Sequence, residues 1–293
     1  HEFSGVIADR GSCTSVQVGE RVAVYPLIPC GECSYCRVAA YNLCDNYSYL
    51  GSRTDGGFAQ FVRVPLNNLV PIPEGVDFET AAATEPTSVA LHALRRAGME
   101  IGDDVAIFGA GPIGLLVAQW ARNLGAKDVF LVDIAPDKLE LAMTLGFPRE
   151  NCIDGAQEDA VQIILERTGG MGVSLAVESA GVNATLISVV QATRKHGRIV
   201  LLGNPEGEAR IPSNVMGSIL RKELRIAGTW NSVCGTLPVD EWALTLDFMK
   251  KGKIVIKPLI SHRFALEDAP RVFKMMLHKE ETFNRVFFLP NDL

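Results

Sequence analysis

VAIFGAGPIGLLVAQWARNLGAKDVFLVD, residues 105–133, decides the fold. A short apolar run at 105–108 meets Gly109-Ala110-Gly111-Pro112-Ile113-Gly114 at once. A segment with helical periodicity follows from Leu115 to Leu124 and closes at Gly125. A second apolar run, 129–132, ends in Asp133. Strand, glycine turn, helix, strand and acid, in that order, are the layout of a dinucleotide-binding βαβ unit. The glycines have separate tasks. Gly109 permits the tight turn, Gly111 lets backbone approach a pyrophosphate, and Gly114 lets the helix pack close to the strand. Pro112 and Ile113 open the helix, whose N-terminus offers unpaired N–H groups and a positive dipole end to phosphate. Asp133 stands about 20 residues further on, where a carboxylate accepts ribose hydroxyls. A 2'-phosphate is repelled there, so the sequence predicts NAD rather than NADP.

The rest of the composition narrows the class. At 293 residues, 47% hydrophobic and 21% charged, the chain reads as an ordinary globular protein of two domains. A net charge of −6 leaves no basic surplus for phosphate backbones, so nucleic acid is not an expected partner. No apolar run approaches the roughly 18 residues of a membrane span. Seven cysteines, an odd number, argue against a secreted disulfide framework. Four of them cluster, which points to a metal and a cytoplasmic, reducing location.

Residues 1–88 are β-rich and irregular. GVIADRG, ERVAVYP and FAQFVRVP have strand character between Gly and Pro punctuation. Within them PCGECSYCRVAAYNLCDN, residues 29–46, places Cys30, Cys33, Cys36 and Cys44 at C-x2-C-x2-C-x7-C spacing. Four thiolates at such gaps close a tetrahedral Zn²⁺ site, leaving no position for water, so this zinc is read as structural. An iron–sulfur cluster is the rival, but the bacterial ferredoxin run has a shorter last gap followed by Pro. Cys13, Cys152 and Cys234 stand alone and read as buried thiols.

HEFSG at the start, the four-cysteine lobe, GSRTDGGFAQF at 51–61, EPTSVALHA at 85–93 and the βαβ unit together resemble the zinc-dependent medium-chain alcohol and polyol dehydrogenases. Within that family, LGSRTDGGFAQFV (50–62) and LRKELRIAGTW (220–230) are most similar to members acting on sugar-alcohol phosphates, with the free-polyol members next. The resemblance implies an α/β protein: a Rossmann doubly wound parallel sheet at 89–233, and a discontinuous GroES-like catalytic domain from 1–88 and 234–293. It implies an enzyme that transfers hydride from a secondary hydroxyl of a sugar alcohol to NAD, assembled as a homodimer or homotetramer. It also implies a second, catalytic zinc. Family ligands are a Cys from a CG-x-D motif, the His of GHE and a downstream acid. His1 and Glu2 match the last two letters of GHE, and Glu85 matches the acid. Glu2 either binds the metal or stands behind a ligand. The sequence opens mid-pattern, so the Cys is expected upstream of residue 1.

Further positions follow. Lys138 lies where relatives contact the adenosine part of the cofactor. The turns carrying Ala180 and Gly203 end two strands on the carboxyl side, where doubly wound sheets bind ligands. Arg53 is either a phosphate-binding residue or a solvated loop cation. His92 is a polar neighbour of the site or a packed helix residue. The expected elements from 129 onward are PDKLELAMTLG as helix, Ala160 to Thr168 as helix, VSLAVE as strand, NATLISVVQATRKHG as helix closed by Gly197, RIVLLGN and LRIAGTW as strands, then two helices and a last strand RVFFL.

Overall fold

Short runs before residue 78 give short elements. They are β1 (Ser4–Val6), β2 (Arg21–Val24), β3 (Leu27–Ile28), α1 (Ser34–Arg37), β4 (Ser48–Tyr49) and β5 (Leu69–Pro71), followed by α2 (Phe78–Ala82) and α3 (Thr84–Arg96). The computed structural model describes residues 1–205 and 207–290. From residue 104 the pattern becomes regular: β6 (Asp104–Phe108), α4 (Pro112–Asn123), β7 (Asp128–Asp133), α5 (Pro136–Thr144), β8 (Cys152–Asp154), α6 (Ala160–Arg167), β9 (Val173–Glu178), α7 (Asn183–Ala192), β10 (Thr193–Leu201), α8 (Ser213–Lys222) and β11 (Arg225–Gly228). The chain finishes with α9 (Glu241–Lys250), β12 (Ile260–Ala265), α10 (Ala269–His278) and β13 (Arg285–Leu289).

These elements form two compact units, His1–Ser88 with Asn231–Leu293, and Val89–Trp230. The second unit holds one six-stranded sheet in the order β11-β10-β9-β6-β7-β8, parallel throughout. This is the doubly wound α/β arrangement, with its order reversing between β6 and β9. Ile107, Leu131, Val177 and Val200 are fully buried, because helices cover both faces of the sheet. Prolines at the first helical turn of α4 and α5 start those helices with φ already set. Asp159 caps α6 by accepting the Gln162 N–H at 3.0 Å. At the amino ends of the strands, buried Asp103 accepts from Ser174 Oγ at 2.7 Å and Arg198 Nη2 at 2.5 Å.

The first unit is built on the three-stranded antiparallel sheet β1-β2-β5 and two pairs, β3-β4 and β12-β13. Its halves are joined by a buried polar knot. The Ser232 carbonyl accepts from Tyr25 Oη at 3.1 Å, while Ser232 Oγ accepts from Trp242 Nε1 at 3.0 Å and lies 2.8 Å from Ser88 Oγ. Arg263 of β12 adds a bidentate pair to Glu79 of α2 at 2.5 and 2.9 Å.

Three expectations are corrected. FAQFVRVP forms no strand: among the described residues no other strand pairs with it, and Phe58 instead meets the rings of Phe273 and Phe288 edge-on at 5.6 and 5.2 Å. Helix α7 stops at Ala192 rather than Gly197, because Thr193 turns into β10 opposite Val173. Lys222 Nζ takes the carbonyls left by Val190, Gln191 and Thr193. Of the lone cysteines, Cys152 is buried, whereas Cys13 and Cys234 are only partly so. Among the described residues no helix is long and apolar enough to cross a membrane.

Ser232→Ala is expected to leave the buried Trp242 N–H without its acceptor and to cost about 1–3 kcal/mol. Urea unfolding of the first unit's signal measures it.

Candidate active site and cofactor turn

The cysteine lobe has little regular structure of its own, only the four-residue α1 and a 3-10 turn at Tyr41–Leu43. What shapes it is sulfur. The Sγ atoms of Cys30, Cys33, Cys36 and Cys44 lie within 4.8 Å of one another, all as free thiols. Cys30–Cys36 and Cys33–Cys44 separations are both 3.9 Å. Four sulfurs bound to one zinc stand about 3.8 Å apart, given Zn–S bonds of about 2.3 Å. The donor set and its spacing fit that ion. Backbone N–H groups already point at the sulfurs: Cys30 N–H to Cys44 Sγ at 3.2 Å and Cys36 N–H to Cys33 Sγ at 3.5 Å. Such donors favour thiolate, and N–H groups of Asp45 and Cys36 hold the Cys33 thiol down to about 6.

A second cluster in the same unit joins the residues before β1 to α3. His1 and Glu2 precede β1, and Glu85 sits in the first turn of α3. Their ligand atoms also lie within 4.8 Å of one another, with His1 Nε2 at 3.8 Å from Glu2 Oε1. Glu85 is buried, and its Oε1 accepts from Tyr49 Oη at 2.9 Å. Burial, and then the charge of Glu2, push the Glu85 carboxyl up to about 7 against the pull of Tyr49 and Arg285. Burial beside Glu85 also raises the Tyr49 phenol. Glu2 Oε2 is held by Arg285 of β13. Two clustered carboxylates and an imidazole, one carboxylate buried, are a donor set that a divalent cation relieves. The loop after β4 lies against this cluster. A Cβ at Gly51 would stand 2.6 Å from His1 N, and one at Gly57 would stand 2.6 Å from Phe3 Cβ.

Arg53 is exposed, its guanidinium 3.9 Å over the Tyr47 ring and Nη1 donating to the Tyr47 carbonyl at 2.6 Å. Tyr47 in turn meets Tyr49 edge-on at 6.2 Å, and Tyr49 meets His1 at 5.5 Å. His92 is buried on α3, in the other unit.

In that unit the glycine turn follows β6. Gly109 has φ +108°, and a Cβ at Gly114 would stand 1.9 Å from the Gly109 carbonyl oxygen. Gly111 caps α4 with nothing within 4 Å of its Cβ position, and Pro112 and Ile113 follow half-buried. Asp133 bonds backbone on both of its oxygens. Its Oδ2 accepts from Ala110 N–H at 2.7 Å and its Oδ1 from Ala135 N–H at 3.0 Å, so it fastens the glycine turn to the end of β7. Lys138 Nζ lies 3.7 Å from the same carboxylate. Ala180 is exposed at the turn after β9, and Gly203 follows β10 with its Cβ position 2.3 Å from Gly181 N.

Sequence reasoning missed Tyr49, Arg285 and Glu178. No local signal marks the first two, since Arg285 meets Glu2 across 283 positions. Glu178, a charge ending the buried run VSLAVE, was visible but unread.

The family described as zinc-binding dehydrogenase matches residues 112–251, and the alcohol dehydrogenase GroES-like domain matches residues 1–74. The chain is 35% identical over 269 residues to galactitol 1-phosphate 5-dehydrogenase of Escherichia coli K12, covering 92% of this chain and 77% of that protein. It is 32% identical over 293 residues to sorbitol dehydrogenase of Bacillus subtilis, covering 99% and 80%. The crystal structure of galactitol-1-phosphate dehydrogenase from Escherichia coli superposes with a TM-score of 0.90 at 33% identity, over 99% of this chain and 83% of that one. A zinc-binding dehydrogenase from Sinorhizobium meliloti bound to NADP gives 0.87 at 31%, over 99% and 82%. An alcohol dehydrogenase from Escherichia coli CFT073 complexed with NADH gives 0.87 at 28%, over 98% and 82%.

Gly114→Ala is expected to lower NADH affinity at least about tenfold, because a methyl cannot share space with the Gly109 carbonyl. Fluorescence titration reads it. Cys44→Ser is expected to release one zinc and open residues 29–46 to protease, which metal analysis and limited proteolysis detect.

Proposed function

The chain belongs to the zinc-binding dehydrogenase family with a GroES-like alcohol dehydrogenase domain, and from that premise we propose that it oxidises a secondary hydroxyl of a sugar-alcohol phosphate with NAD, galactitol 1-phosphate to tagatose 6-phosphate. The observation that carries the substrate is the similarity to a galactitol 1-phosphate dehydrogenase over 92% of the chain. A free-polyol reading is supported by the sorbitol dehydrogenase relative, which aligns over 99%.

In this reading Cys30, Cys33, Cys36 and Cys44 hold a zinc that no substrate reaches. His1 and Glu85 hold the second, with Glu2 at its side. When bound, that zinc supplies the Lewis acidity that lets a hydroxyl lose its proton near neutral pH, and the nicotinamide supplies the two-electron acceptor. The protein's own groups do the placing. Tyr49 fixes one oxygen of Glu85. Arg285 holds Glu2 Oε2, so Oε1 is the oxygen nearest His1. The N-terminus of α4 and the Gly109–Gly114 turn receive the pyrophosphate. Asp133 faces the adenosine ribose with Lys138 beside it, which favours NAD. Ala180 and Gly203 line the cofactor path. Arg53 binds the substrate phosphate as an exposed cation braced on Tyr47. The working form is a homodimer or homotetramer.

With NAD, kcat/KM for galactitol 1-phosphate is expected to exceed that for sorbitol by at least about a hundredfold. Equal values would move the assignment to the free polyols. Binding of NADH without turnover of either would leave a dinucleotide-binding relative lacking activity. Arg53→Ala is expected to raise KM for the phosphorylated substrate about tenfold with kcat retained. Metal analysis of the natural protein is expected to return about two zinc ions per chain; a single ion would overturn the second metal site.

A further inference from the structure

At the carboxyl end of β9 stands a carboxylate that the reaction does not use. Glu178 is 4% exposed. Its Oε1 accepts three bonds: from Ala180 N–H at 3.0 Å, Gly181 N–H at 2.9 Å and Thr185 Oγ1 at 2.7 Å. Its carbonyl accepts the N–H groups of Leu202 and Gly203 at 2.8 and 3.0 Å. Its Oε2 lies 2.8 Å from the Cβ position of Gly203. One residue therefore fastens the turn after β9, the turn after β10 and the first turn of α7. Val182, which caps α7, makes no side-chain cap bond, and Glu178 reaches that first turn through the Thr185 hydroxyl.

The next residue ties this assembly to the glycine turn. Ser179 N–H donates to the Phe108 carbonyl at 2.9 Å. Its hydroxyl reaches the carbonyls of Phe108 and Gly109 at 3.1 and 2.8 Å. The Cβ position of Gly109 is 2.9 Å from both Ala180 N and Ser179 Oγ. The two turns thus touch with no space for a side chain between them.

We propose that Glu178 and Ser179 are positioning residues for the dinucleotide, locking the turns after β6, β9 and β10 into binding geometry before the cofactor arrives. This rests on the reading that the second unit binds a nicotinamide dinucleotide. A buried carboxylate near a pyrophosphate path is unfavourable unless its charge is absorbed, and here three donors absorb it. Its presence at the strand end is explained by what it holds. A preset cradle binds without spending affinity on ordering its loops.

The test uses the zinc-loaded protein and the variants Ser179→Ala, Glu178→Ala and Glu178→Gln. NADH dissociation constants come from fluorescence, kcat from saturating cofactor, and hydrogen exchange of the Ala180 and Gly181 amides from the cofactor-free protein. Ser179→Ala is expected to weaken NADH about tenfold and Glu178→Ala further, with kcat within about twofold of the parent. Glu178→Gln is expected to fall between parent and alanine, since an amide oxygen still accepts. The two amides exchange faster in each alanine variant without cofactor. Variants that bind NADH like the parent and differ only in melting temperature would overturn the proposal and leave a purely structural role. A parent protein that binds no NADH would instead overturn the dinucleotide reading itself. If Glu178→Ala does not fold, the other two variants decide.

Discussion

A parallel sheet covered by helices on both faces has nowhere to put a polar side chain except at the ends of its strands. That constraint arranges the second unit. Val105, Ala106 and Ile107 of β6, Leu175, Ala176 and Val177 of β9, and Val200 near the end of β10 have zero exposure. Polarity is pushed outward to two rims. The amino rim holds Asp103, Ser174 and Arg198, which bond one another and close that end. On the carboxyl rim stand Asp133, Glu178 and Ser179, whose partners are the turns themselves. One rim is saturated by side chains; the other spends its side chains on shaping backbone. The second gathers small residues at its turns, Gly109–Gly111, Ala180, Gly181 and Gly203.

The first unit solves a different problem. Its strands before residue 78 are too short to bury a large apolar face, the longest being the four residues of β2. It is held instead by discrete polar and sulfur-rich joints: Ser232 with Tyr25 and Trp242, Arg263 with Glu79, and the four thiols. The Tyr25–Ser232 and Glu79–Arg263 joints link segments far apart in the chain, while the thiols gather within residues 30–44. The His1, Glu2 and Glu85 cluster is such a joint as well, with Tyr49 and Arg285 bracing its two carboxylates from separate strands.

That contrast explains what could be read in advance. The βαβ unit was legible because its information is local: glycine spacing, helical period and a terminal acid lie within one stretch. The cysteine lobe was legible for the same reason, since metal spacing is a short-range pattern. His1, Glu2 and Glu85 gained meaning only by resemblance, because nothing near residue 1 announces residue 85. Tyr49, Arg285 and the extra duty of Asp133 stayed invisible, as their roles exist only after folding. The errors share a cause. FAQFVRVP alternates like a strand, but alternation does not supply a ladder partner. RKHG continues a helical pattern, but Thr193 had a neighbour in β9 waiting for it.

The 2.8 Å contact between Ser88 and Ser232 has a consequence for how the molecule is made. As the chain leaves the ribosome, residues 1–88 emerge first, yet their partners Ser232, Trp242, Arg263 and Arg285 come last. The intervening 89–230 segment forms a compact unit whose sheet is made only of its own strands. Folding brings order to a long insertion whose flanking residues meet side by side, so the first unit need close only a short gap rather than a loop of its full length. Nascent chains stalled before residue 232 would thus carry residues 1–88 without their partners Ser232, Trp242, Arg263 and Arg285.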